Sequence, residues 1–138
     1  MVFTNLAHGA GSDPIGLAWG IVGRLWPELA LAASPAATDP DAKTTAALRA
    51  EYERLLAGTP QLDRWSPRSR VSAWEGASSL ASRGRRLGEL RRFAFVRDER
   101  DGKERRRHYL AEHAKGSLLL RFALDEQGRI VSLTWMHL

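Results

Sequence analysis

The chain closes with Leu-Leu-Leu-Arg-Phe-Ala-Leu (118–124), Asp-Glu-Gln-Gly-Arg (125–129) and Ile-Val-Ser-Leu-Thr-Trp-Met-His-Leu (130–138). Two apolar runs on either side of an acidic, glycine-containing turn are a strong signal for a β-hairpin. The pattern therefore predicts that the chain ends in a hairpin that closes an antiparallel sheet.

Apolar residues fall opposite one another when this hairpin is paired around its turn. The predicted pairs are Leu124 with Arg129, Phe122 with Val131, Leu120 with Leu133, and Leu118 with Trp135. Because alternate residues of a strand share a face, we expect one buried apolar wall with His137 at its edge. Its members are Leu118, Leu120, Phe122, Val131, Leu133 and Trp135. The side chains of Leu119, Arg121, Ser132 and Thr134 are expected on the opposite face.

An earlier hairpin is predicted from Leu87–Arg97 and Lys103–Ala111, which flank Asp101-Gly102. This dipeptide favours a type I′ two-residue turn. The resulting register pairs Arg100 with Lys103, Val96 with Arg107, Phe95 with His108, and Phe93 with Leu110. It also sets like charges opposite each other, as in Arg97 with Arg106, which is unfavourable. Either the hairpin frays near its tip or this register is wrong there.

Three helices are predicted before the sheet. The first begins at Asp13-Pro14 and ends or bends at Pro27, with an apolar stripe that includes Trp19 and Trp26. The second is capped by Asp39, opened by Pro40 and stopped by Gly58 and Pro60. The third begins at Ser66-Pro67, carries Val71, Trp74, Ala77 and Ala81 on one side, and ends at Gly84. Three N-terminal helices followed by four antiparallel strands form an α+β architecture with the helices packed on one face of the sheet.

Length and composition predict one domain over residues 1–138, with residues 1–12 flexible. The chain has no cysteine, which excludes disulfides and thiolate chemistry. Arg24, Pro27 and Glu28 interrupt the apolar stretch 14–37, so we expect no membrane span. The first basic residue is Arg24, which disfavours a signal peptide. We therefore expect a cytoplasmic protein, with secretion as the alternative.

The order of elements and the closing hairpin resemble the ketosteroid-isomerase-like fold, also called nuclear-transport-factor-two-like or SnoaL-like. The resemblance covers residues 67–138: a helix bearing Trp74, then Gly84, a strand at 90–96, a strand through Tyr109-Leu110, and the final hairpin. It implies a curved, cone-like sheet with a pocket at its open end. Within the family the chain is most similar to small non-catalytic accessory domains, which often precede a β-lactamase-type hydrolase. The resemblance also implies a homodimer.

Catalytic members of this family use carboxylates and a tyrosine inside the cone. Here Asp98, Asp101 and Asp125 lie at or beside predicted turns, so no aspartate occupies a strand interior. The sequence therefore favours a domain that binds a hydrophobic small molecule without catalysing a reaction. An isomerase, cyclase or hydrolase using His137 and Tyr109 is the alternative.

The predicted ligand-binding residues are aromatic or polar side chains near the mouth of the cone: Trp74, Phe93, Phe95, Tyr109, Phe122, Trp135 and His137. The competing interpretation is that these aromatic rings only fill the core. We expect no cofactor and no metal, because His108 and His113 differ by five positions and so point to opposite faces of their strand.

Positive charge is concentrated between residues 83 and 107, where eleven basic residues stand against five acidic ones. That excess of six exceeds the net charge of +5 for the whole chain. A basic β-ribbon contacting a phosphate backbone through Arg105, Arg106 and Arg107 is a second functional alternative. Solvated charges that prevent edge-to-edge aggregation explain the same run without a nucleic-acid partner.

Overall fold

A computed structural model describes residues 37–138 of the chain. This part has the expected α+β architecture, with two α-helices and one four-stranded antiparallel sheet in the order β1-β2-β3-β4. The elements are α1 (Ala42–Leu56), α2 (Arg70–Leu87), β1 (Leu90–Asp101), β2 (Glu104–His113), β3 (Gly116–Leu124) and β4 (Ile130–His137). Two short 3₁₀ turns, Leu62–Arg64 and Pro67–Ser69, connect the helices. The first predicted helix lies outside the described residues.

Helix α1 begins two residues later than the sequence suggests. Asp41, not Asp39, is the N-cap, and its Oδ1 accepts a hydrogen bond of 3.1 Å from the backbone N–H of Thr44. Asp39 instead accepts from the backbone N–H of Asp41 at 2.9 Å and pairs with Arg107. The helix ends before Gly58, whose φ of 76° suits glycine, as predicted. Leu48, Tyr52 and Leu55 are buried along the predicted apolar face.

Helix α2 continues through Gly84 to Leu87 and is terminated by Gly88, which has a φ of 74°. Gly84 serves a close approach rather than a helix end, since a Cβ there would lie 2.6 Å from Cδ2 of Leu56 on α1. The buried side of α2 consists of small and aliphatic residues: Ala73, Ala77, Leu80, Ala81 and Leu87. The prediction that Val71 and Trp74 share this side is wrong, because they are 70% and 57% exposed.

The closing hairpin has its predicted faces but a different register. Leu118 pairs with His137, Leu120 with Trp135, and Phe122 with Leu133, a shift of two residues from the prediction. One residue of the shift arises at the turn, where Leu124 pairs with Ile130 and not with Arg129. The other arises at Val131, which has no partner between the Leu124–Ile130 and Ala123–Ser132 pairs. Since a shift of two preserves alternation, Leu118, Leu120 and Phe122 are still buried and Leu133 and Trp135 still pack against the core.

The first hairpin turns at Gly102-Lys103 rather than at Asp101-Gly102, so the type I′ prediction is wrong. Gly102 has a φ of 60° at the first central position, as a type II′ turn requires. A further irregularity lies between Phe95 and Arg97. The observed register sets Asp98 opposite Arg107 and Glu99 opposite Arg106, which are favourable pairs. Near the turn, like charges still face each other, Arg100 with Arg105 and Asp101 with Glu104.

The two helices cover one face of the sheet, here called the inner face. Buried residues of α1 and α2 form a single core with inward side chains of the strands, among them Phe95, Tyr109, Leu118, Leu120 and Phe122. The opposite face, here called the outer face, carries the alternate strand residues. Within residues 37–138, neither helix is long and apolar enough to cross a membrane.

Candidate functional site

Four of the predicted ligand-binding residues come together, but as core. Phe93 stacks on Tyr109 with 4.6 Å between ring centroids, and Phe95 and Phe122 each lie 6.0 Å from Tyr109 at steep angles. Tyr52 of α1 joins them, 5.9 Å from Phe93. Tyr109 and Phe122 are fully buried. These rings therefore fill the space between α1 and the sheet, as the competing interpretation expects.

The buried tyrosine hydroxyls are engaged in hydrogen bonds. The Tyr109 hydroxyl lies 2.9 Å from Oγ1 of Thr45, and the Tyr52 hydroxyl lies 2.8 Å from Nε2 of His113. Nδ1 of His113 is 2.9 Å from the Gly88 carbonyl oxygen, so the ring donates there and accepts from Tyr52. Burial raises the pKa of Tyr109 to about 12 and also raises the pKa of Tyr52. Both hydroxyls are protonated at neutral pH and tie α1 to the sheet.

An open apolar groove lies between α2 and β4, beside the edge of the sheet. Its volume is about 170 Å³. It is lined by Leu55, Trp65, Ser72, Gly76, Leu80, Val131, Ser132, Leu133 and Trp135. Trp135 is the one member of the predicted set that lines this groove. The wall predicted from the closing hairpin thus supplies one side of the groove, through Val131, Leu133 and Trp135.

Trp65 is a groove residue that the sequence did not indicate. It lies between the two 3₁₀ turns and forms a parallel bridge with Ile130 at the start of β4. Its indole Nε1 donates a hydrogen bond of 2.7 Å to Oε1 of Glu51. Glu51 is fully buried and also accepts from the backbone N–H of Gln61 at 3.1 Å. The indole is therefore held in a fixed orientation at the groove wall.

Burial raises the pKa of Glu51, although hydrogen bonds from Trp65 and Gln61 lower it in part. The carboxyl group does not line the groove. Its role in this part of the chain is to hold the Trp65 indole and the turn at Gln61.

Trp74 and His137 lie away from the groove. Trp74 is exposed on α2 and is absent from the groove lining. His137 is half-buried at the end of β4, where it lies opposite Leu118 and its Nε2 contacts Nη1 of Arg83. The set predicted from the sequence is therefore divided among the core, the groove, the surface of α2 and the end of β4.

The arginines proposed for nucleic-acid binding are held by carboxylates. Arg107 is fully buried on the inner face, where it pairs with Asp39 and donates at 3.1 Å to the Asp41 carbonyl oxygen. Arg105 pairs with Asp41 and Asp98 at 2.8 Å each, and this pairing lowers the pKa of Asp41 and raises that of Arg105. Arg106 points to the outer face and pairs with Asp101 at 2.6 Å. Arg107 is thus inaccessible to a phosphate backbone, whereas Arg105 and Arg106 are partly exposed.

Neither a family model, nor a curated protein, nor a solved structure matches the chain. Within residues 37–138, no group of three or more His, Asp or Glu side chains is placed to hold a metal ion. The function of the groove is therefore inferred from its own geometry and chemistry.

Proposed function

We propose that this domain is a non-catalytic binding domain that holds a small apolar molecule in the groove between α2 and β4. The observation that carries the proposal is the groove itself, in which two indoles and five aliphatic or small side chains surround an open volume of about 170 Å³. Binding sites for small molecules are typically concave and apolar with few polar groups. Among the described lining residues, Ser72 and Ser132 contribute hydroxyl groups.

The volume limits the size of the ligand. A cavity of about 150 Å³ lined by aliphatic and aromatic side chains binds benzene. Sites for drug-sized molecules occupy about 300–1,000 Å³. A groove of about 170 Å³ therefore suits one aromatic ring or a branched alkyl group, and a steroid would bury only one of its rings.

The lining also selects against charge. Among residues 37–138, no arginine, lysine or histidine lines the groove, so a ligand carboxylate would lose water without gaining a cation from this part of the chain. A hydroxyl group, in contrast, can pair with Ser72 or Ser132 at the margin. Simple phenols and cyclic alcohols are therefore the preferred class, ahead of apolar carboxylates.

The geometry does not favour the enzymatic alternative. Tyr109 lies on β2 and His137 on β4, with β3 between them. Adjacent strands are about 4.8 Å apart, so these two residues are separated by roughly 10 Å across the sheet. Among the described residues, no histidine or carboxylate lines the groove to act as an acid or base.

The same proposal includes two further features: a ketosteroid-isomerase-like cone with three helices, and a homodimer. Two helices followed by a four-stranded antiparallel meander support the first. The edge strands support the second: within residues 37–138, β1 and β4 end the sheet, and an edge strand presents backbone groups that can pair with another chain.

Tryptophan fluorescence tests ligand binding directly. Trp74 is first replaced by phenylalanine, which removes an exposed indole that does not line the groove. This background retains Trp19, Trp26, Trp65 and Trp135. We expect small phenols to change its emission saturably, while steroids, and apolar carboxylates with the same ring as the phenol, act more weakly.

A matched pair of α2 variants locates the signal. Gly76→Leu adds a side chain at a groove position where a Cβ would meet nothing within 4 Å. Ser78→Leu adds the same side chain at an exposed position of α2 outside the groove. Binding should be lost in the first variant and retained in the second. Equal responses in both variants, or no response to any phenol, would exclude the groove as the binding site.

A further inference from the structure

Four polar side chains form a row across the outer face of the sheet. Arg97 of β1, His108 of β2, Arg121 of β3 and Thr134 of β4 are successive cross-strand partners. Arg97, Arg121 and Thr134 are exposed. The helices pack on the other face of the sheet, so neither described helix covers this row.

His108 is the exception in this row, because it is buried. Its side chain is 8% exposed, and its Nε2 atom has no hydrogen-bond partner within the described part of the chain. The nearest carboxylate oxygen, Oε2 of Glu99, is 3.6 Å away, beyond hydrogen-bond distance. Buried polar atoms of native proteins are almost always paired with protein, water or ligand. With only this long contact to Glu99, Nε2 marks a place where a closer hydrogen-bond partner can bind.

Positive charge is gathered on both sides of His108. Arg121 donates from Nε to Oγ1 of Thr134 at 3.2 Å and forms no ion pair with any carboxylate of residues 37–138. Arg97 pairs with Glu99 at 2.8 Å through Nε. Burial lowers the pKa of His108, Arg97 and Arg121 lower it further, and Glu99 opposes them. His108 is therefore neutral at neutral pH and has one ring N–H to donate.

We propose that Arg97, His108 and Arg121 form an oxyanion site that takes the phosphate group of a small phosphorylated molecule. Adjacent strands are about 4.8 Å apart, which places the two arginines roughly 10 Å apart on either side of the histidine. Both side chains are long enough to converge on a group seated above His108. Guanidinium groups match phosphate with paired hydrogen bonds, and the ring N–H of His108 adds a central donor.

Glu99 occupies part of this site as an internal competitor. Its carboxylate lies between Nε of Arg97 and Nε2 of His108, at 2.8 Å and 3.6 Å. Its side chain is 41% exposed near the tip of the first hairpin, so it can move into solvent. A phosphate offers three acceptor oxygens and more charge than a carboxylate, and so displaces it.

The test is a titration of the full chain with inorganic phosphate at constant ionic strength, with chloride as the reference anion. The histidine ring resonances are followed by NMR. We expect a saturable shift confined to His108 and a rise in its pKa. Arg121→Ala should weaken binding about tenfold or more, since charge-assisted hydrogen bonds contribute at least that factor. Glu99→Gln should strengthen binding several-fold because it removes the competitor.

Arg85→Ala is the matched control, since it removes one exposed positive charge from the last turn of α2. It should leave phosphate binding unchanged. A second titration uses an eight-residue oligothymidylate. If that polyanion binds and loses affinity equally in Arg85→Ala and Arg121→Ala, general attraction to the basic surface is responsible and the site is rejected. The site is also rejected if phosphate does not shift the ring resonances of His108. Phenols that bind the groove should not shift His108, because the groove lies on the opposite face of the sheet.

Discussion

Replacing Arg107 with methionine tests how much the fully buried guanidinium of this residue contributes to the stability of the protein. The guanidinium pairs with Asp39, lies 3.5 Å from Oδ2 of Asp98 through Nε, and donates to the Asp41 carbonyl oxygen. Its Cζ atom lies 4.8 Å from the ring centroid of Phe95 and 5.5 Å from that of Tyr109. One arginine thus joins the segment before α1, both strands of the first hairpin and the aromatic core.

The magnitude follows from these contacts. At an effective dielectric constant of 20, two unit charges 3.5 Å apart attract by about 5 kcal/mol. The cost of burying the guanidinium offsets much of this attraction while both partners are present. Removing only the arginine leaves the half-buried Asp39 without this partner, although Asp98 keeps its pairing with Arg105. We therefore expect a loss of about 3–5 kcal/mol in the free energy of unfolding.

Urea denaturation followed by circular dichroism measures the loss. With a slope of about 2 kcal/mol per molar, the midpoint should fall by roughly 2 M while the slope stays the same. Arg100→Met is the control, since Arg100 is an exposed arginine of the same hairpin and should change stability by about 0.5 kcal/mol at most. Asp39→Asn should cost less in the Arg107→Met background than alone. A loss below about 1 kcal/mol, or one equal to that of Arg100→Met, would refute the ion-pair account.

Three further predictions concern stability. Glu51→Gln should keep the acceptor for Trp65 and leave stability at neutral pH unchanged or higher, because the raised pKa of Glu51 means that its charged form is disfavoured in the folded state. Glu51→Ala should cost about 1–3 kcal/mol by leaving the indole N–H unpaired, and equal losses in the two variants would contradict this. Gly76→Ala should stabilise the protein by up to about 1 kcal/mol in thermal unfolding, because an added Cβ meets nothing within 4 Å and alanine favours a helix. Destabilisation would show that the groove is already filled at this position. Burial opposes ionisation of Asp39, but hydrogen bonds from Thr45, Asp41 and Arg107 outweigh it and lower its pKa. Its stabilising contribution is therefore complete above about pH 4 and is lost as the pH falls through the lowered pKa. In Asp39→Asn the free energy of unfolding should fall less steeply with acid, and an unchanged dependence would count against the pairing.

The apolar wall of the closing hairpin was predictable because a register error of two residues leaves every side chain on the same face of the sheet. The register itself was not predictable, since the sequence signals neither the pairing of Leu124 with Ile130 at the turn nor the irregularity at Val131. The turn of the first hairpin was misplaced for a related reason. Asp101-Gly102 fits a type I′ turn locally, but pairing across the strands favours the register that sets Asp98 opposite Arg107.

The groove was only half predictable from the sequence. Trp135 and Leu133 follow from strand alternation, whereas Trp65 lies in an irregular connection and reaches the groove through a long-range bridge to Ile130. Trp74 was misassigned because helical spacing alone cannot tell which flank of a helix faces the sheet. Arg107 was assigned to the surface because it is charged, although alternation with Tyr109 already placed it on the inner face.

The indole N–H resonances of Trp65 and Trp135 report most directly on the binding of a ring-sized apolar molecule in the α2–β4 groove. In a titration with phenol followed by two-dimensional NMR, we expect saturable shifts of these two resonances, no shift of Trp74, and loss of the shifts in Gly76→Leu but not in Ser78→Leu. Shifts that are linear and equal at all three indoles, or that persist in Gly76→Leu, would contradict binding in the groove.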